Sequence, residues 1–176
     1  MAVVYFSIGS NQGDRLNCLV KATQLIDLRI GKVLCFSAVY ESAPWGFQAD
    51  TSFLNQVLQV ETELDPHLVL SALLDIEKIL GRIRAGLEYS SRIIDIDILF
   101  YDELHMEEDI LIIPHPRMHL RRFVMEPLAS IAPDFLHPIL KKPVSELLNI
   151  LEDTGGISVA VEKNKFRDLL NRTKQS

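Results

Sequence analysis

Cysteine is nearly absent, with only Cys18 and Cys35 in a chain of 176 residues. Neither has the spacing of a metal-binding pair and both stand among apolar neighbours. A disulfide framework and a cysteine-held zinc are therefore excluded, and both thiols are expected to be free and buried. Positive charge is also short: 18 Lys and Arg face 24 Asp and Glu, for a formal net charge of −6. Nucleic acid is thereby excluded as a sequence-independent partner, because such binding needs a basic face that displaces counterions. A small anionic ligand is still compatible with this charge, since a local group of arginines can invert the field in a cleft. No apolar run approaches the ~20 residues that span a bilayer. The opening MAVVYFSIGS lacks the basic leader and the length of a secretory signal. A cytoplasmic monomer without a membrane partner is the expectation. Low-complexity segments and charge blocks are missing too, and 48 % of the residues are apolar, so one domain spanning residues 1–176 is expected.

Several catalytic fingerprints are missing. There is no G-x-x-x-x-G-K-[ST], and Gly9 and Gly13 do not make G-x-G-x-x-G. Any site for a nucleoside triphosphate must be built without a glycine-rich phosphate loop. The absence of H-E-x-x-H and G-x-S-x-G weakens zinc-hydrolase and serine-hydrolase readings.

What is present is a regular succession of element signals. Residues 2–8 are β-rich and run into the turn cluster Gly9-Ser10-Asn11-Gln12-Gly13-Asp14, where Asn11 or Asp14 can cap the first helix. Leu16, Leu19, Val20, Thr23 and Ile26 recur at helical spacing, and Gly31 closes that helix. Residues 32–40 read as a second strand, 41–51 as a loop around Pro44, Trp45 and Gly46, and 53–62 as a third strand. Asp65-Pro66, an N-cap followed by proline at the first helical position, starts a helix that Val69, Leu70, Leu73, Ile76 and Leu80 carry to Gly81. An arginine-studded stretch, 82–92, leads into the strongest strand, 93–101.

The order to this point is β-α-β-β-α-β. The fold class is therefore α+β, with a ferredoxin-like core and an antiparallel-dominated sheet flanked by helices. A short strand at 110–113, a Pro-His-Pro loop, helices at 125–131 and 144–151, and a last strand and helix are C-terminal additions. Gly155-Gly156 marks a hinge before a piece too short for a second domain.

The window Ile93-Ile94-Asp95-Ile96-Asp97-Ile98-Leu99-Phe100 carries the chemistry. Strand side chains alternate, so Ile94, Ile96, Ile98 and Phe100 share one face and Asp95 and Asp97 the other. The two carboxylates then lie roughly 7 Å apart, given a rise of ~3.3 Å per residue. They repel one another unless something positive sits between them. Magnesium suits the gap, because it takes one or two carboxylates and completes its octahedron with water and phosphate oxygens. A solvated edge strand would show the same Asp-x-Asp pattern. Arg82, Arg84 and Arg92 before the pair, and Arg117, Arg121 and Arg122 after it, favour the metal reading. Guanidinium forks and a metal clamp a polyphosphate together. Trp45, Phe47, Phe53, Tyr89 and Phe123 fall in or beside loops, where rings stack on planar heterocycles and an amide such as Asn55 reads a polar edge; Phe53 and Phe123 are equally compatible with core positions.

The run Arg82-x-Arg84 to Arg92-Ile93-Ile94-Asp95-Ile96-Asp97-Ile98-Leu99 resembles the signature of the 6-hydroxymethyl-7,8-dihydropterin pyrophosphokinases, enzymes of folate synthesis. Ile8-Gly9-Ser10-Asn11, Tyr40-Glu41-Ser42-Ala43-Pro44, Phe53-Leu54-Asn55, Ile76-Glu77 and Pro114-His115-Pro116-Arg117-Met118 extend the resemblance over about residues 2–140. It implies transfer of pyrophosphate from ATP to the hydroxymethyl group of the pterin, with release of AMP. It also implies two Mg²⁺ ions on Asp95 and Asp97, and charge stabilisation by Arg82 and Arg92. ATP would be contacted by Glu77, Arg84, the backbone of Ile98, His115 and Arg121. The pterin would lie among Ser42, Pro44, Trp45, Phe53, Asn55 and Phe123. Where the family commonly carries Trp-Gly-Pro before the last signature arginine, this chain has Tyr89-Ser90-Ser91. The loops 41–51 and 82–92 are expected to close over bound ligands. A binding module without turnover, and a phosphotransferase releasing ADP, are the competing readings.

Overall fold

Strand β1 (Ala2–Ser10) is buried along nearly its whole length, because it lies inside the sheet with a partner on either side. The computed structural model describes residues 1–44, 51–82 and 93–173. After β1 come α1 (Arg15–Arg29), β2 (Gly31–Phe36), β3 (Val39–Ser42), β4 (Phe53–Thr62), α2 (Pro66–Ile79) and β5 (Asp95–Tyr101). A two-stranded hairpin comes next, β6 (Met106–Glu108) with β7 (Leu111–Ile113), then a 3₁₀ turn at Met118–Leu120 and helices α3 (Arg122–Ile131) and α4 (Val144–Asn149). The chain returns through β8 (Ile157–Val161) and α5 (Lys163–Thr173).

The main sheet runs β5-β1-β4-β3-β8, with β2 also on β4, and every pairing is antiparallel. With β2 and β3 taken as one broken strand, this is the ferredoxin-like order. Both predicted caps form. Asp14 accepts from the Asn17 amide, and Asp65 accepts from those of His67 and Leu68 with Pro66 opening α2. Such caps satisfy amides that a helix start leaves bare, at about 1 kcal/mol each.

Helices α1 and α2 cover one face, here the back, burying Phe6, Ile8, Leu19, Ile26, Leu73 and Ile76. Helices α3 and α4 cover part of the other, the front, over Tyr5, Val57, Met125 and Leu128. Each of these large side chains contributes ~1.5–3 kcal/mol when fully buried.

Several local expectations are corrected. The strand predicted over 32–40 is two strands, because Ser37 Oγ accepts the Val57 amide and breaks the ladder between β2 and β3. Glu41 and Ser42 belong to β3 rather than to a loop. Gly31 does not end α1 but opens β2, where a Cβ would come within 2.1 Å of the Glu61 carbonyl oxygen. Phe100 faces the front with Leu99, not the back with Ile98. The β1–β5 register shifts between Tyr5 and Phe6, a bulge that turns the strand over after Ile98. Cys18 is buried as expected, but Cys35 is only half-buried, with Lys163 Nζ 3.2 Å from its sulfur.

The C-terminal strand extends the sheet itself. β8 pairs with β3, and α5 packs Phe166 fully buried with its ring 5.4 Å from that of Phe36.

Candidate active site

Three adjacent strands place the predicted residues in rows across the front face. Asp95 stands opposite Gly9, which stands opposite Asn55, and Asp97 stands opposite Ser7. Two strand spacings separate Asp95 from Asn55, roughly 10 Å. Gly9 keeps the floor between them low, since a Cβ there would lie 3.1 Å from Asn55 Oδ1. Asp95 and Asp97 thus share one face, with side chains 27 % and 38 % exposed.

Arg82, just past α2, reaches Asp95 with Nη1 donating to Oδ1 at 2.7 Å, and the same nitrogen donates to Glu77. Glu77 is buried on the inner side of α2 and also accepts the Ile96 amide at 3.0 Å. Burial opposes the charge of Arg82, but Asp95 and Glu77 outweigh it and hold the guanidinium above its ordinary pKa. In this state Arg82 is a partner of the acidic pair itself.

Strand β5 is the edge of the sheet. Because the Ile96 amide points outward to Glu77, the strand period directs the backbone of Ile98 to the same outer side. There a cleft of about 570 Å³ opens between α2 and the β6–β7 turn, lined by Leu70, Leu74, Ile98, Ile110, Ile112 and His115. Its size and apolar walls suit a planar base.

His115 guards the end of that cleft. Its amide donates to the Leu99 carbonyl at 3.0 Å, and its Nδ1 accepts the Arg117 amide, leaving Nε2 3.9 Å from Asp97 Oδ2. Burial, then Arg121 and Arg117, pull its pKa down to about 4. The ring is therefore neutral near neutrality, with its remaining proton on Nε2 facing Asp97.

On the other side of the floor, Asn55 Nδ2 donates to Ser42 Oγ at 2.8 Å, both buried, and Phe53 pairs with Ser42 across β3–β4. Pro44 follows β3, half-buried. Arg121 is 6 % exposed and its guanidinium carbon lies 5.9 Å from the centre of the Phe123 ring, at the start of α3. The predicted arginine group does not converge fully, because Arg122 turns away to Asp153 and Glu126. Trp45, Arg84 and Arg92, and most of the two loops expected to close, lie outside the described residues. One cluster had no signal in the sequence. Arg15 joins Glu41 and Ser52 behind the sheet through residues far apart in the chain.

The fold resembles solved structures of longer chains. A crystal structure of HPPK-DHPS in complex with substrates superposes with a TM-score of 0.71 at 15 % identity, over 84 % of this chain and 43 % of that one. Plasmodium falciparum wild-type HPPK-DHPS with pteroate also gives 0.71, at 16 % identity, over 84 % and 44 %. This chain therefore spans less than half of those proteins. Two proteins named 2-amino-4-hydroxy-6-hydroxymethyldihydropteridine pyrophosphokinase are similar over nearly their full length. The one from Aquifex aeolicus is 40 % identical over 83 % of this chain and 90 % of its own. One from Porphyromonas gingivalis is 42 % identical over 81 % and 99 %. The family profile for 7,8-dihydro-6-hydroxymethylpterin-pyrophosphokinase (HPPK) matches residues 5–133, and the chain belongs to that family.

Proposed function

We propose that this chain transfers pyrophosphate from ATP to the hydroxymethyl group of 6-hydroxymethyl-7,8-dihydropterin, releasing AMP, the activity for which its bacterial relatives are named. One observation carries the reading. A partly exposed carboxylate pair on the edge strand has an apolar, base-sized cleft on one side and a buried amide–hydroxyl pair on the other.

The base of ATP would lie in the cleft beside the outward backbone of Ile98, and its phosphates would run across Asp97 and Asp95. The pterin would lie over Gly9, with Asn55 and Ser42 on its polar edge and Phe53, Phe123, Pro44 and Trp45 against its rings. The pterin hydroxyl oxygen then attacks the β-phosphorus and gives up its proton to water, the bond from that phosphorus to the α,β-bridging oxygen breaks, and AMP leaves. Such a transfer depends on positioning and charge neutralisation more than on a strong base.

Asp95 and Asp97 suit two Mg²⁺ ions. Both are hard oxygen donors, and no group of three His, Cys, Asp or Glu is assembled among the described residues. That donor set fits a cation which draws its other ligands from water and phosphate. When bound, Mg²⁺ supplies neutralisation of the polyphosphate charge. Neutral His115 offers Nε2–H to a phosphate oxygen without adding charge, while Arg121, Arg82, Arg84 and Arg92 supply the cationic surroundings. Glu77 acts beneath them, holding Arg82 and the Ile96 amide. We take the same reading to include action as a cytoplasmic monomer of one domain.

The test is incubation with Mg²⁺, ATP and the reduced hydroxymethylpterin, with nucleotide products separated by chromatography. AMP and the pterin diphosphate are the expected products. ADP would point to the other phosphotransferase reading, and no product from folded protein to the binding module.

A further inference from the structure

The face of β3 and β4 turned away from the pterin side carries a polar cluster that the reaction does not use. Arg15 Nη1 donates to Glu41 Oε1 at 3.1 Å, to the Ser52 carbonyl at 2.8 Å and to Ser52 Oγ at 2.9 Å. Ser52 Oγ in turn donates to Glu41 Oε1 at 2.5 Å. Just before Ser52, Thr51 Oγ1 donates to the Asn11 carbonyl, also at 2.5 Å. Ser52 and then Arg15 hold the Glu41 carboxyl below the usual carboxylate range, so the cluster is a charged one.

Its position gives it a use. Glu41 immediately precedes Ser42, and Ser52 immediately precedes Phe53. Adjacent side chains on a strand point to opposite faces. Glu41 pairs with Leu54, which is buried in the back core, whereas Ser42 pairs with Phe53 and binds Asn55 on the front. One guanidinium behind the sheet therefore ties together the two peptide units whose front side chains meet the pterin.

We infer that Arg15 is a positioning residue for the pterin substrate: by holding Glu41 and Ser52 together it fixes the separation of Ser42 from Phe53. The inference rests on the pterin site proposed above. It sets Arg15 apart from the nucleotide side, since its hydrogen bonds run to β3 and to the residue just before β4, across the sheet from β5, Arg82 and His115.

The test is equilibrium titration of the full chain with reduced hydroxymethylpterin, in Mg²⁺ and a non-hydrolysable ATP analogue. Arg15→Met is expected to raise the pterin Kd about 5- to 10-fold, the net size of one ordinary hydrogen bond. The Kd of the ATP analogue should stay within about 2-fold, below what one such bond is worth. Glu41→Gln should likewise weaken the pterin and leave the ATP analogue within about 2-fold, and Arg15→Lys, which keeps the charge but not the fork, should recover part of the loss. Unchanged pterin affinity in folded Arg15→Met overturns the inference, and so does equal weakening of both ligands, which marks a merely structural role. If the unaltered chain binds the ATP analogue but no pterin, the functional reading itself falls.

Discussion

Replacing Arg82 by Met should destabilise the free protein as well as slow the reaction. A single nitrogen of Arg82 serves both Glu77 and Asp95, with the Arg82 side chain 14 % exposed, Glu77 2 % and Asp95 27 %. Removing one partner of a buried ion pair costs ~3–5 kcal/mol, because the remaining charge stays away from water. Asp95 can recover hydration through its exposed side, so the lower end, about 3 kcal/mol, is expected. With a urea slope of about 2 kcal/mol per molar, the unfolding midpoint should fall by about 1.5 M. The assay is urea unfolding followed by circular dichroism, in chelator so that no divalent cation substitutes for the lost charge. Asp95→Asn then closes a double-mutant cycle, in which Arg82→Met should cost about 1 kcal/mol less than in the unaltered background. A midpoint shift under about 0.5 M, which at that slope is only about 1 kcal/mol, would refute the buried shared pair.

The remaining expectations concern separate parts of the molecule. Asp97→Ala should abolish AMP formation while leaving the circular-dichroism spectrum and unfolding midpoint close to those of the unaltered chain, because its carboxylate is 38 % exposed; near-normal turnover would exclude it as a metal ligand. Phe166→Ala should cost ~3–5 kcal/mol as a large-to-small core change. It should also speed amide exchange in β3, which pairs with β8, more than in β1; equal change in both strands would show that the C-terminal unit does not act on β3 in particular. Burial, and then His119, hold the pKa of buried His137 at about 4, against an ordinary value of 6.5, and its Nδ1 accepts the amides of Ile139 and Leu140. The unfolded chain therefore takes up that proton first, and stability falls as pH drops from about 6.5 towards 4. His137→Asn, whose oxygen can still accept those amides, should flatten that slope without removing the part due to His115; an unchanged slope in thermal unfolding against pH would contradict it.

The acidic pair was legible because everything that fixes it is local. Alternation along one strand puts Asp95 and Asp97 on the same face, and no distant contact is needed to know it. The same rule failed three residues later at Phe100, for a reason the strand itself does not contain. The bulge after Ile98 lets the Leu99 carbonyl take the His115 amide at 3.0 Å, so the turnover of β5 is tied to a loop sixteen residues away. Likewise the break in the strand over 32–40 depends on Ser37 meeting Val57, and a serine in a β-rich run gives no sign of a partner 20 positions on. Arg15 is the strongest case, since its partners stand 26 and 37 residues ahead and it reads simply as a polar residue in the first turn of a helix.

Arg82 shows the converse limit. Its place in the motif announced a phosphate ligand, yet in the free protein the nearest anions are the chain's own Glu77 and Asp95. The two roles are compatible. A cation over Asp95 competes for the same carboxylate, and an arginine already within 2.7 Å of that carboxylate needs only a short shift to meet a phosphate laid on it. Glu77 sets the length of that shift. It is buried and fixed to the Ile96 amide, so it keeps Arg82 beside β5 whichever anion the guanidinium faces. Sequence nominates the charges; the packing of α2 on β5 decides which of them neutralise one another before any ligand arrives.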